Sequence, residues 1–449
     1  MTQELQEGFK EEMRGLLGEE ESVALIEALD EAPEVSIRLN PQKTFPLPPD
    51  FPVENRVDWC PEGYYLKSRP SFTLMPELHA GAFYVQDASS MIHAHILRSL
   101  PVKPDTLLDL CAAPGGKTTA MLSAIPAGCV AVANELMPAR ASVLKENIIK
   151  WGRPEIIVTS ADAEKIGRSG ISFDVIAADV PCSGEGMQRK DEEARRMWSP
   201  GLVAECASLQ REIVANILPA LRPGGYLIYS TCTFNREENE DNVRYFIEEL
   251  GLENPLLPTD KKWGIAQSVD ERLNALRFMP HLTRGEGLFV ALLRKPEEES
   301  PRRSRRLREP RPLRHEASKW LSSPLSLYEN GGRLTAMTPD CAKIAAGLAD
   351  ASVKILAAGV EVAELKGKDV VPSHALAVNS LLRRGVFKEH EVEIPEALDF
   401  LRRETILLPP DIPKGYVLLT HNGLPLGFLK NLGNRANNLY PKEWRIRIK

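Results

Sequence analysis

The sequence predicts an α/β protein whose largest part is a Rossmann-like, doubly wound and mostly parallel sheet. Three observations carry this expectation. Short apolar runs alternate with helical stretches from about residue 76 to 295, a glycine-rich loop joins the first run directly to a helix, and acidic or thiol side chains stand where later runs end. Strand and helix in alternation, with strands apolar along their whole length, is the pattern of a parallel sheet covered by helices on both faces.

Taken in order, residues 1–75 hold a predicted amphipathic helix (LIEALDEA), a short strand (VSIRLN) and many prolines, and read as a small N-terminal α/β lobe. In residues 76–295 the runs LLDLCA, GCVAVANE, EIIVTSAD, FDVIAADVP, YLIYSTCT and GLFVALLRK are strands by their continuous hydrophobicity and β-branched content. ARASVLKENIIKWG, VAECASLQREIVANILPAL and EENEDNVRYFIEEL fall between them as helices. Residues 296–315 include RRSRRLREPRPLR, too poor in apolar residues to build a core and expected as an exposed, arginine-rich linker able to meet phosphates. Residues 316–388 read as a mixed α+β piece. From 389 to 449 turn signals multiply, and Asn422-Gly423 between YVLLT and LPLGFLK marks a hairpin of a small β module.

Composition narrows the class. A chain of 449 residues that is 43% hydrophobic can bury several cores. The opening MTQELQEGFKEEMRG is polar, and no apolar run approaches the roughly 18 residues of a membrane span, so no membrane partner is expected. Seven cysteines without a paired CxxC spacing fit a reducing, cytoplasmic setting and exclude a metal-ligand set of that type. A net charge of −6 argues against a surface wrapped throughout in nucleic acid, although local basic patches remain compatible with it.

The stretch LLDLCAAPGGKTTAML admits two ligands. A phosphate loop, GxxxxGK[ST], fits Gly116, Lys117 and Thr118 but finds Cys111 where its first glycine belongs. As the first turn of an S-adenosylmethionine site, Cys111, Ala112, Ala113, Pro114, Gly115 and Gly116 keep the loop small enough for its backbone to approach the cofactor. Glu135, about 20 residues on, ends the next strand where an acid can accept both ribose hydroxyls. Asp162 ends the third and is expected at the adenine amino group, and Asp179 ends the fourth. Four strand ends so furnished favour S-adenosylmethionine as cofactor.

Asp179 is followed by Pro181-Cys182, and the fifth strand delivers Ser230-Thr231-Cys232-Thr233, so adjacent strands would bring two thiols to one rim. Cys60, Cys129, Cys206 and Cys341 read instead as small apolar residues. Two thiols suit methylation at carbon 5 of cytosine, a position too weakly nucleophilic to react until a thiolate adds to C6. Asp179 would hold the N3 and N4 edge of the ring, and Lys117 would lower a thiol pKa. Methylation of an exocyclic amino group needs no thiol. Which thiol attacks stays open on these grounds.

The motifs CAAPGGKT (111–118), DVPCSGEGMQRKD (179–191), STCTFNREENE (230–240) and RFMPHLTRGEGLFVALLRK (277–295) together resemble the Nop/Sun family of RNA (cytosine-5) methyltransferases, in particular its bacterial 16S rRNA members with C-terminal extensions. SIRLNP (36–41) and GAFYVQDASSM (81–91) are similar to the segment that precedes the cofactor site in that family. The resemblance covers most of the chain and implies a class I methyltransferase domain, an N-terminal RNA-binding lobe and a PUA-like RNA-binding end. It implies Cys232 as nucleophile, Cys182 as the residue that assists breakdown of the adduct, and cofactor contacts from 111–117, Glu135, Arg140, Asp162 and Asp179. It further implies RNA as partner, 16S rRNA or the small subunit foremost, a monomeric enzyme and no metal. A tRNA substrate, a catalytically silent assembly factor and a phosphate-loop NTPase are the competing readings.

Overall fold

The computed structural model describes residues 4–297 and 307–448. Its centre is a nine-stranded sheet. In chain order its strands are β1 (Thr106–Asp109), β2 (Val130–Asn134), β3 (Ile156–Ser160), β4 (Phe173–Asp179), β5 (Leu221–Thr231), β6 (Ala266–Gln267), β7 (Ala275–Phe278), β8 (Leu288–Arg294) and β9 (Lys354–Ala358). They lie in the order β6-β7-β8-β5-β4-β1-β2-β3-β9. From β5 to β3 neighbouring strands are parallel, and both edges are antiparallel.

Alternate residues of these strands feed two cores. Leu107, Ala131, Val175 and Ile228 face one, while Leu108, Val132, Ile176 and Leu227 face the other, so these four central strands are apolar on both sides of the sheet. Helices α1 (Ile92–Ser99), α2 (Gly116–Ala124), α3 (Pro138–Trp151), α4 (Ala163–Gly167), α5 (Pro200–Ile217) and α6 (Glu240–Glu248) pack around the sheet. Gly115, with φ of 113°, turns the chain from the loop after β1 into α2.

Strand pairing crosses two of the expected domain limits. The N-terminal sheet, ordered Val53–Val57, Cys60–Leu66, Ser36–Leu39, Phe83–Val85, takes its last strand from beyond residue 75. Residues 316–388 form a four-stranded antiparallel sheet and helix Pro339–Asp350, yet they also give β9 to the central sheet, paired with β3 through Lys354↔Ser160 and Ala358↔Ile157. The edge of β3 would otherwise expose a row of unpaired backbone groups.

The C-terminal sheet contains the expected hairpin: Gly415–His421 returns as Leu424–Asn431 through Asn422 and Gly423, both with positive φ (50° and 73°). Its Val417, Leu419 and Leu426 share a core with Ile37, Leu66 and Phe83 of the N-terminal lobe, so the two ends of the chain are packed together. Of the linker arginines, 302, 303, 305 and 306 lie outside the described residues. Farther along, Leu307 packs beside the second core and Leu313 donates its N–H to Leu327 O at 2.7 Å. Among the described residues no helix is long and apolar enough to cross a membrane, and no group of His, Cys, Asp and Glu has the geometry of a metal site.

Candidate active site

The carboxyl ends of β1, β2, β4 and β5 converge on one rim. After β1, Leu110 N–H donates to Ala177 O and Ala112 N–H to Asn134 O, which seats the glycine loop across its neighbours. Arg140 of α3 donates to Ala113 O at 2.9 Å, and Asn147 of the same helix donates to Pro114 O at 2.8 Å. Ala112 and Ala113 are buried, and the Ala113-Pro114 bond is cis. Asp109, beneath the loop, accepts from Thr118 Oγ1 at 2.6 Å, and burial pushes its carboxyl up to about 7.

Glu135 lies buried at the end of β2. Oε1 accepts from Met137 N–H at 2.9 Å, whereas among the described residues no hydrogen-bond donor reaches Oε2; Arg140 Nη1 stands 3.5 Å from it as an ion pair. A buried acceptor left open, beside a loop of small residues, fits the hydroxyls of a nucleoside. Asp162, expected at the adenine amino group, also has a structural contact. It caps α4, with Oδ1 accepting Lys165 N–H at 2.7 Å.

Asp179 and Ser230 are register partners across β4 and β5. The Asp179 carboxylate accepts from Ser230 Oγ at 2.8 Å and from Lys117 Nζ at 2.8 Å. Burial draws the Lys117 ammonium pKa down, but the adjacent Asp179 charge outweighs it and holds the group above its ordinary value. One of the three N–H groups of Lys117 is thus engaged by Asp179.

Three residues past Asp179 and two past Ser230, the sulfurs of Cys182 and Cys232 stand 3.0 Å apart, both as free thiols. The hydrogen bond to Cys232, and then burial, push the Cys182 thiol well above its ordinary value. At this separation either thiol can donate to the other sulfur. Burial likewise raises Cys60 and Cys206 to about 11 and Cys129 and Cys341 to about 12, which leaves them inert, and it raises Cys111 as well.

The two thiol loops are fastened by residues that composition and spacing did not single out. Glu238 accepts from Ser183 N–H at 3.1 Å, Asn235 Nδ2 at 2.8 Å and Gln210 Nε2 at 2.6 Å. Glu185 accepts from Trp198 Nε1 at 2.9 Å and from the N–H groups of Phe234 and Asn235 at 2.6 and 2.8 Å. Gly186 N–H donates to Cys232 O at 2.8 Å, where Gly186 crosses the Gly287 backbone too closely for a side chain. Arg277 of β7 reaches the same loop through Phe234 O and forms a buried pair with Glu240. Asn134 joins three strand ends through Leu110 O, Ala161 O and Thr159 Oγ1. Their only mark in the sequence is polar side chains crowded into the loops and strand ends around the thiols.

A doubly wound sheet with a glycine loop after its first strand and an open buried acid after its second is a class I methyltransferase domain, built to hold S-adenosylmethionine. Comparison with known proteins narrows the class. Residues 96–294 match the family described as 16S rRNA methyltransferase RsmB/F, residues 387–446 the methyltransferase RsmF PUA domain, and residues 5–88 the N-terminal domain of 16S rRNA methyltransferase RsmF. The ribosomal RNA small subunit methyltransferase F of Enterobacter sp. (strain 638) is 31% identical over 412 residues, covering 86% of this chain and 83% of its own. Its namesake from Escherichia coli O127:H6 is 32% identical over 408 residues, covering 86% and 84%. A methyltransferase homolog protein from Pyrococcus horikoshii superposes with a TM-score of 0.56 at 27% identity, over 65% of this chain and 95% of that one. The chain belongs to the RsmB/F family of 16S rRNA methyltransferases, within the Nop/Sun group, and is thus a member of a family of RNA methyltransferases.

Proposed function

We propose that the protein methylates carbon 5 of a cytosine in 16S rRNA through a covalent bond between Cys232 and C6 of the base. The observation that carries this reading is the pair of sulfurs 3.0 Å apart beside the Asp179 carboxylate, since methylation of an amino group or a ribose has no use for two thiols. S-adenosylmethionine supplies an electrophilic methyl group when bound. The loop 111–117, Glu135 and Arg140 would hold it, and Asp162 retains one carboxylate oxygen for the adenine side.

Cys232 adds to C6, which moves the ring's π electrons toward N3 and leaves C5 nucleophilic. Asp179, oriented by Lys117 and Ser230, binds the N3 and N4 edge, where that charge develops. After C5 has gained its methyl group, a base removes the C5 proton, C5=C6 reforms and Cys232 departs as thiolate. Cys182, protonated and in contact with the departing sulfur, stabilises that thiolate. The N-terminal lobe and C-terminal module would bind the RNA around the target.

Bisulfite sequencing of 16S rRNA and tRNA from a strain lacking the gene, with and without complementation, tests the assignment. A single 16S cytosine that loses protection in the deletion strain is the expected result; an unchanged pattern throughout both RNAs overturns it. Glu135→Ala is expected to weaken S-adenosylmethionine binding about 10- to 100-fold, the cost of one charge-assisted hydrogen bond at about 1.5–3 kcal/mol. Calorimetric titration measures it, and wild-type affinity would remove Glu135 from the cofactor site.

A further inference from the structure

The two thiols of the site are also placed to react with each other. Their sulfurs stand 3.0 Å apart and a disulfide needs about 2.0 Å, so about 1 Å of movement, shared between two side chains, closes the gap. The backbone holds them at this approach, because the loops after β4 and β5 exchange hydrogen bonds in both directions. Glu185 of the first accepts the Phe234 and Asn235 N–H groups of the second at 2.6 and 2.8 Å, and Glu238 of the second accepts the Ser183 N–H of the first at 3.1 Å. Gly186 N–H donates to Cys232 O at 2.8 Å, which ties the loops together a third time. Neither loop can retreat without breaking these buried contacts. Cys182 and Cys232 are both partly exposed, within reach of a small oxidant, whereas Cys60, Cys129 and Cys341 are buried.

We propose that Cys182 and Cys232 form a reversible redox switch, in which a hydroperoxide oxidises one thiol and the other captures it as an intramolecular disulfide that turns the enzyme off. The disulfide itself rests on the geometry alone; its effect on turnover rests on the cytosine-C5 reading above.

The steps balance. One sulfur of the pair, as thiolate, attacks an oxygen of the hydroperoxide: an S–O bond forms, the O–O bond breaks, and the departing oxygen takes up the thiol's proton and leaves as an alcohol, or as water from hydrogen peroxide. The second sulfur then attacks the resulting sulfenic acid. The S–S bond forms, the S–O bond breaks, and hydroxide leaves with the second thiol's proton as water. Two thiols have given two electrons and two protons to the peroxide. A sulfenic acid without a partner would go on to sulfinic acid, which thiols do not reduce, but here the capturing sulfur is already in contact. A small dithiol reverses the change by exchange through a mixed disulfide. While linked, neither sulfur can add to C6. The glycine loop and Glu135 follow other strands, β1 and β2, and keep the cofactor site intact.

Titration of the folded full chain with hydrogen peroxide, followed by non-reducing peptide mapping and by methyl transfer to an unmodified 16S rRNA transcript, tests the switch. The expected result is one linked pair of peptides, carrying Cys182 and Cys232, with transfer lost in proportion to the linked fraction. S-adenosylmethionine affinity should be unchanged by calorimetry, and dithiothreitol should restore transfer. In Cys182→Ala the capturing thiol is gone, so peroxide should add two oxygens to Cys232, and dithiothreitol should not restore that variant's retarded RNA adduct. Should the variant fail to fold, the wild-type peptide map and its reversal decide alone. No linkage between the two residues, transfer that survives full linkage, or a loss that dithiothreitol does not reverse overturns the switch. The nucleoside made by the reduced enzyme is scored separately: 5-methylcytosine without linkage overturns the switch alone, and linkage without 5-methylcytosine overturns the cytosine reading alone.

Discussion

A Cys232→Ala enzyme is expected to transfer no methyl group above background, a loss of about 10,000-fold or more of the kind that follows deletion of a catalytic nucleophile. Without addition at C6 the ring pairs in cytosine stay in place, C5 remains unreactive, and neither Asp179 nor the cofactor can substitute for a missing bond. The fold should tolerate the change. Cys232 is half-buried at the rim, and removing its sulfur should cost only about 1 kcal/mol. Transfer of labelled methyl to unmodified small-subunit RNA, with S-adenosylmethionine binding as control for folding, measures the effect. Wild-type transfer by this variant would sink the covalent reading.

Cys182→Ala should fail at the opposite end of the reaction. Addition and methyl transfer proceed, but the departing Cys232 thiolate has lost the donor 3.0 Å away, so the enzyme accumulates bound to its RNA. The expected signature is a band of retarded mobility on a denaturing gel, formed only when Cys232 is intact. Cys182, whose thiol is held above its ordinary value by the neighbouring sulfur and by burial, suits the donor's part in this division of labour, while the choice of Cys232 as attacker comes from the family resemblance. If Cys232→Ala formed the adduct and Cys182→Ala did not, the two roles would be exchanged.

Much of this site is legible in the sequence because it is built at strand ends, where a local pattern shows both the strand and the residue that ends it. Glu135, Asp179, Cys182 and Cys232 all stand in such places. The position of Asp162 is legible, but this residue between β3 and α4 is the N-cap of the helix, and an aspartate before a helix is as much a cap as a ligand. The contact of His93 with Ser230 gave no sign, since in IHAHIL a histidine reads as one more residue of a helix, and only tertiary packing places it against Ser230. β9 was hidden for a related reason. KILAA declares a strand, but nothing within it tells which sheet it joins across nearly two hundred intervening residues.

That strand gives the molecule the properties of a caliper. A β pairing cannot slip by less than two residues, about 7 Å, without turning its side chains to the wrong face. β9 joins one jaw to the sheet that carries the thiols, and the shared core of the two chain ends braces the other. The C-terminal module and the rim are therefore held at one spacing, which changes only if a strand pairing breaks or a shared core opens.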